Sequence, residues 1–152
     1  VGFLGALRAR VRTLFTSTKG PGVTVDSPGL GVVARSFDDT EAASAALTRA
    51  SEFRAAETAV LRHHLILPQD RVAEAAAVVA QDGYALREIG PHQGDQVLAH
   101  ALRAELVTAL GCARERSRMA GLAQRLGGDA LGWDVLQTGG RETDNINPPD
   151  RP

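Results

Sequence analysis

Residues 61–84 constrain this chain most, because the apolar period changes within them from two residues to 3.6. Leu61, Leu65 and Leu67 share one side of an extended run, with Arg62, His64 and Ile66 on the other. Pro68 ends that run, and Asp70 is placed to cap the next helix. Val72, Ala76, Val79 and Ala80 fall on one side of that helix. Asp82-Gly83 closes it, since glycine takes the left-handed conformation at a helix end without steric cost. Tyr84 opens a second strand, through Ile89. Strand, helix and strand in direct succession demand a fold in which helices pack on a sheet.

The remainder extends this pattern. Gly90 to Gly94, with Pro91, reads as a loop. Residues 96–106 alternate, with Leu98, His100, Leu102, Ala104 and Leu106 against Ala99, Ala101, Arg103 and Glu105, which predicts a half-buried strand. Thr108 is placed to cap a helix that runs to Leu126 and ends at Gly127-Gly128. Residues 131–137 form the last strand. Residues 58–138 therefore read βαββαβ, the ferredoxin-like order. The expected fold class is α+β, with a four-stranded antiparallel sheet, its helices on one face, and an extra N-terminal helix. That extra helix is expected over residues 38–53, from the capping-box pattern Asp38-Asp39-Thr40-Glu41 and the apolar side Ala43, Ala46, Leu47, Ala50 and Phe53. Residues 32–37 read as a short strand or an extended lead-in. The expected organisation is a basic amphipathic helix at 1–15, a linker at 16–31, the folded domain at 32–138 and a disordered Pro- and Gly-rich tail at 139–152.

Charge excludes some functions. Seventeen basic and 18 acidic residues leave a net charge of −1, so there is no bulk attraction to nucleic acid or membrane. The basic residues before position 26 are Arg8, Arg10, Arg12 and Lys19, with no acid among them. The first helix, with Phe3, Leu7, Val11, Leu14 and Phe15 on one side, can dock on the domain, or on a partner or membrane surface. Cys112 is the one cysteine, so no intrachain disulfide can form, and a reducing cytoplasmic location is expected. No apolar run approaches the roughly 20 residues of a membrane span. The first residues lack the apolar core and cleavage site of a secretory signal.

No catalytic signature is present. His63 and His64 are adjacent on a strand, so their side chains diverge and cannot chelate one metal together. Neither zinc-type spacing, a nucleophile elbow nor a phosphate loop occurs, so no enzyme activity, metal or cofactor is expected. The candidate residues are instead for partner binding. Arg114, Arg118 and Arg125 fall on one stripe of the last helix, and either form a solvated face or meet an acidic partner. Glu115 and Arg116 flank the apolar arc of that helix, so one of them must snorkel or pair. If Leu61, Leu86, Leu98 and Leu102 face the helices, the open sheet side presents Arg62, His64, Arg87, Arg103 and Glu105. Stacking aromatics are missing there, which disfavours direct RNA binding.

His63-His64-Leu65 at the first strand, Gly83-Tyr84 after its helix, the MAGLAQRLGG helix end and the following Gly132-Trp133 resemble the bacterial regulator of ribonuclease E activity, type B. The likeness covers roughly residues 37–137. It implies a ferredoxin-like domain with an extra N-terminal helix, and a non-enzymatic protein that binds an RNA-degrading enzyme's scaffold region and restrains it. A reading from another class is a small-ligand-binding or oligomerising subunit of a larger complex, its sheet side closed by a second copy. The sequence sets neither the oligomeric state nor the partner.

Overall fold

A computed structural model describes residues 22–140. Strand β2 (Ala59–Pro68) lies at its centre, hydrogen-bonded on both sides, to β4 (Gln96–Glu105) and to β5 (Asp129–Thr138). β3 (Ala85–Pro91) pairs with β4 at one edge. The other edge is β1 (Leu30–Ser36), which pairs with β5. The sheet order is β1-β5-β2-β4-β3 and every pairing is antiparallel. The expectation of four strands is therefore corrected to five: of residues 32–37, those at 32–36 are no lead-in but the body of an edge strand, and Phe37 follows it. Pro91 is tolerated at the end of β3 because an edge strand can leave one side of its backbone unpaired.

Three helices complete the α+β fold among the described residues: α1 (Ala43–Arg49), α2 (Val72–Ala80) and α3 (Ala109–Arg125). The Thr108 hydroxyl accepts from Gly111 N at 3.0 Å and so caps α3, as expected. Gly83 ends the α2 turn at φ +79°. Asp70 caps nothing; it lies in a 3-10 turn, Gln69–Arg71, that leads into α2. α1 is shorter than expected, because Asp38 and Glu41 are drawn into other bonds. Asp38 Oδ1 accepts from Thr40 N and Thr40 Oγ1, at 2.8 and 2.7 Å, which makes a turn in place of a helix cap. Glu41 accepts from Ser36 Oγ at 2.9 Å and from Arg49 Nε at 2.6 Å.

The helices share one side of the sheet. Leu65, Leu67, Ala99 and Ala101 pack there against Ala75 and Val79 of α2 and Met119, Leu122 and Ala123 of α3. Leu61, Trp133 and Val135 meet Ala46 of α1 and Cys112 of α3. On β4, Ala99 and Ala101 face the helices, while Leu102 and Ala104 face the other way.

That other side is not open. Val60, Leu102 and Leu136 lie under Val23, Val25, Leu30 and Val32. Residues 22–29, expected to be linker, run across the sheet as a strap. Asp26 accepts from Arg87 Nη2 of β3 at 2.5 Å, at the edge opposite β1. The expected helix at 1–15, the first part of the expected linker, and residues 141–152 of the expected tail lie outside the described residues.

Candidate functional site

The even-numbered residues of β2 point to the strap side, which gives Arg62 and His64 a common face with Asp134 of β5. Arg62 grips the Asp134 carboxylate with two bonds, Nε to Oδ1 at 2.8 Å and Nη2 to Oδ2 at 2.6 Å. His64 Nε2 lies 3.1 Å from Oδ2. An ionised carboxylate only accepts, so Nε2 carries the proton, and Nδ1 is left buried without a partner among the described residues. His100 stands edge-on to His64, with ring centroids 4.4 Å apart.

Phe37 closes this cluster from above, its ring centroid 5.0 Å from that of His64. It has room because Gly132 stands opposite His64 in the sheet. A Cβ at Gly132 would fall 2.5 Å from both the Phe37 ring and Ser36 O, and the backbone there has φ +153°.

Electrostatics follow from the burial. Burial pushes the Asp134 carboxyl up, but hydrogen bonds from His64 and Arg62 outweigh it and hold the group below its ordinary value. Burial, followed by its neighbours His64 and Arg62, pushes His100 down to about 3. His63, on the helix side, is likewise pushed down to about 3 by burial and then by His64. Imidazole and carboxylate thus stand together as in an acid–base pair. His64 is only 3% exposed and Asp134 4%, and the carboxylate is already committed to a guanidinium. These bonds tie β2 to β5.

The expected binding residues do not share one surface. Arg62, His64 and Arg87 lie on the strap side, all engaged internally. Arg103 is on the helix side, against expectation: it is opposite Leu61 in the register, so it shares the Leu61 face. There its guanidinium lies 4.3 Å from the Tyr84 ring centroid, and Nε donates to Glu105 at 2.5 Å. Glu115 is buried and accepts from Tyr84 Oη at 3.0 Å and Arg118 Nη1 at 3.1 Å. Arg118 also pairs with Asp82. Arg116 donates to Asp38 O at 2.9 Å and Asp39 Oδ1 at 2.8 Å, tying the loop before α1 to α3. Arg114 and Arg125 are exposed and make no hydrogen bond or ion pair among the described residues.

Sequence reasoning misses the roles of Asp134, Phe37 and Gly132. The signal available is a lone acid, Asp134, between Trp133 and Val135 in an apolar strand, where burial demands a cation. Cys112 is buried, and burial, then Glu105, pushes its thiol up to about 12. Among the described residues no group of three or more His, Cys, Asp or Glu is placed to hold a metal, and no helix is long and apolar enough to cross a membrane. No family model, curated protein or solved structure matches the chain.

Proposed function

We propose that this chain is a non-enzymatic regulatory domain that binds a protein partner, an RNA-processing enzyme of the ribonuclease E type, through the outer surface of α3. The observation that carries the binding surface is the contrast in charge satisfaction. Arg62, His64, Arg87, Arg103 and Arg118 each have a carboxylate partner within the chain, whereas Arg114 and Arg125 are held out in solvent without a counter-ion among the described residues. The choice of enzyme rests on the short motifs shared with the type B regulators. The split βαβ order within 59–138 supports a ferredoxin-like reading of the scaffold, with β1 and α1 added to it. A cytoplasmic partner suits a chain whose one cysteine is a buried free thiol.

The strap argues against two other uses of the sheet. It crosses the face that RNA-binding sheets of this topology use, and Phe37 on that face is packed against His64 instead of offering a stacking platform. It also fills the place a second copy would take. The test is RNA cleavage by a purified ribonuclease E-type enzyme with increasing amounts of the full chain. Cleavage should fall as the chain is added. Unchanged cleavage and no binding at tens of micromolar, roughly −6 to −7 kcal/mol of binding free energy, overturns the proposal.

A further inference from the structure

We propose that the groove between α2 and α3 is where the partner docks, and that its occupant is an amphipathic helix with an acidic side. This rests on the binding role proposed above and assigns it a site and a ligand chemistry.

The groove measures about 380 Å³. Its floor is apolar, from Val79, Met119 and Leu122, all buried parts of the main core. Gly121 leaves it uncovered: a Cβ built there meets nothing within 4 Å. The α2 side of the groove is Val78 and Val79, with Asp82 just past the end of that helix and already paired with Arg118. The other wall is the arginine stripe. Arg118 is fixed at the rim by Asp82 and Glu115, and Arg125 stands beside it with no partner among the described residues.

Charge complementarity selects the occupant. Apolar floor and unpaired guanidinium together call for an apolar side chain flanked by a carboxylate, the pattern of an amphipathic helix laid in a groove. Arg114 and Arg125 lie three turns apart on α3, about 16 Å along its axis. A partner helix lying alongside would meet both with carboxylates about three turns apart, and set an apolar residue over Gly121 between them.

The experiment measures the affinity of the purified ribonuclease E-type enzyme for four full-length chains: wild type, Gly121→Trp, Arg125→Glu and the control Ala85→Trp. Gly121→Trp plugs the groove from an open position, and Ala85 is exposed on the edge strand β3. Urea midpoints equal to wild type certify that each variant is folded. Wild-type binding weakened ten-fold or more by Gly121→Trp and Arg125→Glu, with Ala85→Trp unchanged, is the expected result. A photoreactive benzoylphenylalanine at position 121, cross-linked to the enzyme and sequenced, should capture a segment rich in Asp and Glu around an apolar residue. Affinity unchanged by Gly121→Trp overturns the groove and leaves the binding role standing. A captured segment without acidic residues overturns the occupant. Absence of wild-type binding overturns the binding role and the groove together.

Discussion

Arg62 and Asp134 stand 72 residues apart in the chain and form a two-bond ion pair at 2.6 and 2.8 Å, with side chains 18% and 6% exposed. A pair this buried is held by geometry more than by net energy, because desolvating two charges offsets most of their attraction. Removing one partner is different, since it strands the other charge. Arg62→Ala is expected to destabilise the fold by about 3–5 kcal/mol, whereas Arg62→Met with Asp134→Leu should cost far less. Urea denaturation of the two variants checks this. Equal losses would show that packing, and not the stranded carboxylate, sets the cost.

Acid should unfold the protein through its histidines before its carboxylates. His63 and His100 are pushed down to about 3 in the fold, from an ordinary 6.5. As pH falls from about 6.5 to about 3, the unfolded chain takes up protons there that the folded chain refuses, so stability declines. Asp134 has its pKa lowered by folding, so its contribution is present above about 3.9 and is lost only as pH drops through its lower folded value. His63→Gln should therefore flatten the dependence of the urea midpoint on pH between 7 and 4.5 (about the upper half of the histidine window). An unchanged slope would rule His63 out as its source.

Gly132→Ala is expected to destabilise by about 1–3 kcal/mol, because the new methyl meets the Phe37 ring and Ser36 O and the left-handed backbone is strained. If the Phe37 ring is the main obstacle, Phe37→Ala combined with Gly132→Ala should lose less than the sum of the single changes. Thermal melts of the three variants measure the coupling.

Trp133 is fully buried beneath α1, and its indole N–H has no partner among the described residues. Trp133→Ala should cost about 3–5 kcal/mol through the cavity it leaves. Trp133→Phe should cost much less, since it deletes an unsatisfied donor along with some volume. A larger penalty for Phe would reveal a bond to the indole.

Charge reversal separates binding from folding. Arg114→Glu with Arg125→Glu touches no internal pair among the described residues and should leave the urea midpoint unchanged while weakening the partner by about 1–3 kcal/mol. The effect should shrink as salt rises, because exposed charges are screened. Arg118→Glu should instead lower the midpoint, as it faces Asp82 and the buried Glu115. Loss of stability in the Arg114/Arg125 variant would refute their assignment as free.

The features legible in the sequence alone are local. The strand at 96–105, the Thr108 cap and the Gly83 stop each act within a few residues and hold in the fold, although that strand is covered on both sides and not half-buried. The order of elements over 59–138 follows from them. Which side of each strand meets the helices is settled only by tertiary packing. β4 alternates between leucine and alanine, and both sides are covered, so hydrophobicity could not say which side is which; the bulk of α2 and α3 selects Ala99 and Ala101. That choice sends Arg103 to the helix side and leaves Leu102 to the strap. The strap itself, the fifth strand and the Arg62–Asp134 pair are contacts between distant segments, stabilised by burial and pairing that no local spacing encodes. The same physics parts the arginines of the sequence into those consumed within the fold and those, Arg114 and Arg125 among them, that α3 turns toward solvent.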